Sequence, residues 1–201
     1  DDSENLFTAR ILFMLESKPI LNDDIYEQCL EKILNHYYRD QTGKRSFRPL
    51  FLLNDILRYW RTLCLNYEER RHDPNRPWRK KNVNLKFSRM LTVFSTILPL
   101  IVKPITSPFQ FKNLCRKTPL ERLAFGVEEL HDDSLEGEWE EVLNIYESFL
   151  TWKEDDEVEK YLKEGEHKET IRSHAEKFSS FLYKVLSHPN IPMEYRRYLV
   201  L

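Results

Sequence analysis

Glycine is scarce, at 4 of 201 residues. Phosphate-cradling loops and the tight turns of sheet-rich folds need backbone at positive φ, so both classes are disfavoured from the start. Cysteine is rarer still: Cys29, Cys64 and Cys115 stand far apart. An odd count without a close pair argues against a disulfide framework or a thiolate zinc site, and it points to a reducing, cytoplasmic setting. No run of about 18 apolar residues occurs, so no segment reads as a membrane span. The longest apolar stretch, Met90 to Val102, is broken by Thr92, Ser95, Thr96 and Pro99 and reads as a core helix. The opening Asp1-Asp2-Ser3-Glu4 has neither an initiator Met nor a basic leader, which predicts a truncated or processed chain. His-Glu-x-x-His, Gly-x-Ser-x-Gly and Gly-x-x-x-x-Gly-Lys are all missing, which removes zincin, serine-hydrolase and P-loop chemistry. His131-Asp132 matches half of a phosphohydrolase metal motif, but no other histidine supplies the second half.

Helical periodicity and charge are what the chain does have. Apolar residues make up 41%, charged residues 32%, and mean hydropathy is −0.61. This is the composition of a globular domain able to bury a sizeable core. The net charge of −2 hides a strong asymmetry. Residues 1–120 hold 21 basic and 13 acidic side chains, and residues 121–169 hold 5 and 18. Residues 170–201 return to a basic excess, 5 against 2. Either the oppositely charged segments face each other in one bundle, or the basic half attracts a polyanion.

The apolar residues recur at three and four. Phe7, Ile11, Met14 and Leu15 predict a first helix from about Ser3 to Ser17. Asn22 reads as the cap of a second, reaching about Arg39, with Ile25, Cys29, Ile33 and Tyr37 inward. Pro49 suits the first turn of a third helix, ending near Arg70. His72 to Lys81 reads as a loop. A fourth helix is expected from about Asn82 to Leu98, stopped or kinked by Pro99 and Pro104. Ser107-Pro108-Phe109-Gln110 and Thr118-Pro119-Leu120-Glu121 are capping-box patterns, and Ser134 reads as the cap of a long helix to Trp152. That long helix is expected to turn Leu135, Trp139, Val142 or Leu143, Tyr146 and Leu150 inward. Asp155 or Asp156 starts a short helix. Thr170 to Leu186 is strongly amphipathic through Ile171, Ala175, Phe178, Leu182 and Val185. The expected fold is all-α: a single-domain bundle of about 8–10 helices over residues 1–201, with a soft joint at 102–118.

Two constellations stand out. In the third helix Asp55, Arg58, Arg61 and Thr62 interrupt an otherwise apolar stretch. An Asp-Arg pair at this spacing can hold a guanidinium rigid for a phosphate or carboxylate, or it can be a structural ion pair between helices. From Arg70 to Arg89 there are eight Lys or Arg residues and one acid, Asp73. Lys80, Lys81 and Lys86 there would steer a phosphate-rich ligand, with Trp78 available to stack a base. The bland alternative is a solvated basic loop.

The segments Leu52-Leu53-Asn54-Asp55-Ile56-Leu57-Arg58-Tyr59-Trp60-Arg61-Thr62, Leu12-Phe13-Met14-Leu15-Glu16-Ser17-Lys18-Pro19 and Asn84-Leu85-Lys86-Phe87-Ser88-Arg89 resemble a known helical region. It lies after the catalytic domain in bacterial nucleotidyltransferase-domain proteins of the DNA polymerase-β-like superfamily. The resemblance covers mainly residues 6–100. It implies an accessory helical domain that positions a nucleotide or acceptor, with Asp55, Arg58, Arg61 and Thr62 as ligand-binding residues. It also implies Mg²⁺ and a nucleoside triphosphate on a catalytic domain preceding Asp1. The Gly-Ser pair and Asp-x-Asp of such catalytic domains are missing here, so no catalytic residue or metal ligand is expected in this chain. The alternative expectation is a non-enzymatic interaction or regulatory module whose basic face meets nucleic acid or an acidic protein.

Overall fold

The computed structural model describes residues 6–42, 44, 47–70, 78–154, 162 and 166–199. Every regular element among them is helical. The order is α1 (Leu6–Glu16), α2 (Asp23–Tyr37), α3 (Leu50–Arg70), α4 (Trp78–Asn84), a π turn (Leu85–Arg89) and α5 (Met90–Val102). Then come α6 (Pro108–Arg116), α7 (Pro119–Glu128), α8 (Glu136–Glu154), α9 (Glu166–Leu186) and α10 (Met193–Arg196). The expected helix start at Ser3, the short helix at Asp155 or Asp156 and most of the 72–81 loop lie outside the described residues.

Periodicity located most inward faces. Phe7, Ile11, Met14 and Leu15 of α1 are all buried, as are Ile171, Ala175, Phe178, Leu182 and Val185 of α9. In α2 the inward face is turned from the expected one. Leu30, Leu34 and Tyr37 are buried, whereas Ile25 is 58% exposed and Cys29 is exposed. In α8 the core side is Val142, Ile145 and Phe149, and Leu150 faces outward. Both helices hold more apolar residues than one face needs, so spacing alone leaves the facing ambiguous.

The core is one buried cluster that runs from Ile11 to Ile191 across the 102–118 segment. At its centre lies α5, apolar nearly all round. It joins α4 through the π turn, so helix is continuous from Trp78 to Val102, and Lys80–Val102 is a 23-residue run within it. That run has the length and mean hydropathy, 1.5, of a bilayer-crossing helix, and 61% of its apolar window is buried inside the bundle. The expected helix from Asn82 to Leu98 is longer at both ends, and residues 78–81 of the expected 72–81 loop are helical because they continue the α4 run. α5 also passes through Pro99 and ends at Val102. The stop comes from Pro104, which favours extended backbone at Lys103, found at φ −127°, ψ 140°. Closest packing falls where Gly126 of α7 meets Leu98 and Pro99. Phe87, from the π turn, stacks on Phe149 of α8 at 4.8 Å and tilts against Phe178 of α9 at 5.5 Å.

Caps follow the sequence with three corrections. Thr118 and Glu121 make a full capping box. Ser107 caps Gln110, but the Gln110 side chain reaches back to the Thr106 amide instead of the Ser107 amide. Asn22 sits at the N-cap of α2 in left-handed backbone, φ 56°, and its side chain makes no cap bond. Asp132, not Ser134, opens the turn before α8 by accepting from the Ser134 amide at 2.9 Å.

Candidate functional site

In the expected ligand-binding group on α3, Asp55 and Arg58 contact neighbouring helices. Tyr37 donates its hydroxyl to Asp55 Oδ2 at 2.7 Å, and Arg58 Nη1 donates to Asp55 Oδ1 at 3.1 Å. The Arg58 guanidinium lies over the Phe7 ring at 4.5 Å. Burial pushes the Tyr37 hydroxyl upward, and the bond to the Asp55 carboxylate pushes it further. Thr62 spends its hydroxyl on the Arg58 carbonyl at 3.0 Å, and Arg61 is exposed. The Asp55–Arg58 ion pair lies within α3, while the Tyr37 hydroxyl links Asp55 to α2 and the Phe7 ring links Arg58 to α1. Arg58 lies about 7.5 Å up the helix axis from Leu63, where a cleft begins.

That cleft has a volume of about 550 Å³. One wall is the C-terminal half of α3, with Leu63, Asn66 and Tyr67. Another is formed by Lys81 and Asn84 of α4, the π-turn residues Leu85, Ser88 and Arg89, and Thr92 of α5. Glu16 ends α1 at one edge, and Lys153 near the end of α8 closes the other. A π turn inserts an extra residue and rotates the succeeding helix, and such turns concentrate at functional sites. Here it presents Ser88 and Arg89 to the cleft while Phe87 enters the core.

The cleft electrostatics rest on a few contacts. Arg89 pairs with Glu16 Oε2, and Tyr59 donates its hydroxyl to Glu16 Oε1 at 2.8 Å. Burial opposes the Arg89 charge, but the bond and attraction to Glu16 more than offset it, so its pKa rises. Burial raises the Tyr59 hydroxyl, and the Glu16 carboxylate adds to the rise. No ion pair engages Lys81 or Lys153 among the described residues. Behind the floor runs a ladder of hydroxyls. Ser88 donates to the Asn84 carbonyl at 3.0 Å, Thr92 to the Ser88 carbonyl at 2.9 Å and Thr96 to the Thr92 carbonyl at 2.9 Å. It ends on Arg122, only 1% exposed, whose guanidinium donates to Thr96 Oγ1 at 2.7 Å and to the Leu15 carbonyl at 3.3 Å. Among the described residues its Nε has no partner, and no carboxylate bonds it. Burial lowers the Arg122 pKa, with Glu16 among the groups that oppose the fall. Because the guanidinium still holds its proton, a buried cation stands behind the cleft.

Of the expected steering lysines, Lys81 lines the cleft. Lys86 is exposed beside it, and Lys80 is half-buried. The side chain of Trp78, expected to stack a base, lies outside the described residues. Among those residues, no three His, Cys, Asp or Glu side chains gather to hold a metal ion. His131 adopts φ 51°, and its neighbour Asp132 meets the buried His188 ring at 2.8 Å, and none of the three lines the cleft. Sequence pattern does not single out Glu16, Asn66 or Lys153, and it marks Arg89 only as one member of the basic run. The four-residue spacing of Ser88, Thr92 and Thr96 within an apolar helix was the one visible signal of a polar stripe. No protein-family model matches the chain, and neither a curated protein nor a solved structure does.

Proposed function

We propose that this chain is a ligand-positioning helical module whose cleft between α3, α4, the π turn and α8 holds the phosphate-bearing part of a nucleotide. The supporting observation is the charge of the lining: Lys81, Arg89 and Lys153 surround one carboxylate, Glu16, which already bonds Arg89. Two ammonium groups from different helices, without carboxylate partners among the described residues, suit an anion. Asn66 and Asn84 offer hydrogen bonds, and Leu63 and Leu85 offer apolar surface for a base or sugar. The volume of about 550 Å³ is that of a small-molecule site. The resemblance of α1, α3 and the α4–α5 run to nucleotidyltransferase accessory regions extends the proposal. In that setting the module would position a nucleotide or acceptor, and Mg²⁺ and nucleotidyl transfer would belong to a separate catalytic domain.

The second reading is a non-enzymatic module that meets nucleic acid or an acidic protein. The outward exposure of Arg61 and Lys86 favours it. Calorimetric titration with ATP, and anisotropy with a labelled single-stranded 20-mer, separate the two. The cleft reading expects ATP binding that weakens about tenfold, or 1.4 kcal/mol, in Lys81→Gln/Lys153→Gln. Unchanged ATP binding in that variant would remove the cleft from the site. Oligonucleotide binding lost only in Arg61→Gln/Lys86→Gln would favour the second reading.

A further inference from the structure

Resting on the cleft reading above, we infer that the site selects a dianionic phosphomonoester on a small molecule over the monoanionic phosphodiester of a nucleic acid backbone. The balance of charge in the cleft points this way. Arg89 is neutralised by Glu16, so it adds little net charge. Lys81 and Lys153 approach from different helices, and neither has a carboxylate partner among the described residues. A monoanion would leave one ammonium uncompensated, whereas a dianion satisfies both. The buried guanidinium of Arg122 raises the demand further. It sits behind Thr92 and Thr96, without a bonded carboxylate and with Nε unpartnered among the described residues. A buried charge is weakly screened, so its positive field reaches the cleft floor. The Arg89–Glu16 pair adds selectivity. A ligand must compete with a resident carboxylate for that guanidinium, and a phosphate dianion does so better than a diester.

The charged and titratable groups facing the ligand are Glu16 from α1, Tyr67 from α3, Lys81 from α4, Arg89 from the π turn and Lys153 from α8. Among the described residues no histidine lines the cleft, so the ligand phosphate is the group that changes charge between pH 5 and pH 7.5. The second ionisation of a phosphomonoester falls near pH 6, so its dianion fraction drops about tenfold across that interval. The test is calorimetry with adenosine 5′-monophosphate, its 5′-methyl phosphodiester, and a decamer with and without a 5′-phosphate, at pH 5.0 and 7.5.

The expected result is that the monophosphate binds at pH 7.5 and weakens about tenfold at pH 5.0. The methyl ester should bind at least about tenfold more weakly, with no pH dependence. Lys81→Gln/Lys153→Gln, folded by circular dichroism, should lose both the affinity and its pH dependence. If the methyl ester binds within about twofold of the monophosphate, dianion selection is overturned while phosphate binding stands. If the 5′-phosphorylated decamer outcompetes the monophosphate and the 5′-hydroxyl decamer does not, the ligand is a strand end and the small-molecule part is overturned. If none of the four ligands binds, the cleft reading itself fails along with the inference.

Discussion

Asp55 is held by contacts from two helices. Its carboxylate is shared between the Tyr37 hydroxyl and Arg58, and its side chain is 15% exposed. Arg58 is 46% exposed, so solvent takes over much of what the pair supplies. Arg58→Ala should therefore cost only about 1 kcal/mol, mostly the ion pair and the Phe7 contact. Asp55→Ala should cost more, about 1–3 kcal/mol, because it strands the buried Tyr37 hydroxyl. Urea melts of the two variants check the order, and the reverse order would restore Arg58 as the group on which the cluster depends. The Asp-Arg spacing was legible in the sequence. The burial that decides its use was not, since Tyr37 and Phe7 come from other helices. Asp132 offers a test in pH. Hydrogen bonding to Ser134 and to His188 pulls its carboxyl down to about 2. A depressed carboxyl stabilises the fold above its unfolded pKa, near 4, and the gain disappears as pH falls through about 2. Asp132→Asn should be less stable than the parent above pH 5, with the gap closing between pH 4 and pH 2. Melts across pH 2–7 measure it, and a gap that widens on acidification would reverse the assignment.

Where helices meet, one glycine and one turn decide the geometry. A Cβ built on Gly126 would lie 2.8 Å from both Cγ and Cδ2 of Leu98 and 3.2 Å from Cδ of Pro99. Leu98 is fully buried and Pro99 is rigid, so neither yields freely. Alanine gains about 0.8–1.0 kcal/mol of helix propensity over glycine, but overpacking a tight core costs about 1–3 kcal/mol. Gly126→Ala should therefore lose about 1 kcal/mol net. Gly137→Ala is the control: nothing lies within 4 Å of its Cβ position, and it should gain about 0.5 kcal/mol in the same melts. Equal effects at the two positions would mean that α5 and α7 are not in tight contact at Gly126. The π turn is the counterpart at the proposed cleft site. Deleting Ser88 should return this run to α geometry and swing Arg89 away from Glu16. Loss of ATP binding with helicity retained by circular dichroism is the expected outcome.

Across the whole molecule, several ion pairs join neighbouring helices, and three of them set basic residues against the acidic 121–169 segment. Lys177 and Lys184 of α9 pair with Glu141 and Glu138 of α8, and Lys103 beyond α5 pairs with Glu129 beyond α7. Lys112 and Arg116 of α6 share Glu27 of α2. Most of these pairs are exposed, and each contributes at most about 1 kcal/mol. Raising NaCl from about 50 mM to 500 mM should thus shift fold stability by less than about 1 kcal/mol, while phosphate binding in the cleft weakens several-fold. A fold that melts with salt as steeply as binding weakens would place the stabilising charge on the surface instead of in the core.

Local chemistry was readable along the chain wherever it depends on neighbours in sequence. The all-helical class, the inward faces of α1 and α9, the Thr118 capping box and the scarcity of catalytic motifs all come from spacing and residue type. The cleft did not. Glu16, Asn66, Arg89 and Lys153 are ordinary polar residues in a charged chain, and only the packing of α1, α3, the π turn and α8 brings them together. Arg122 shows the same limit. Nothing around it in the sequence marks it as buried, yet α5 and the end of α1 enclose it with Thr96 and the Leu15 carbonyl. Helix periodicity is set by the backbone within a few residues, whereas convergence of charge is set by contacts more than a hundred residues apart in sequence, which no local pattern records.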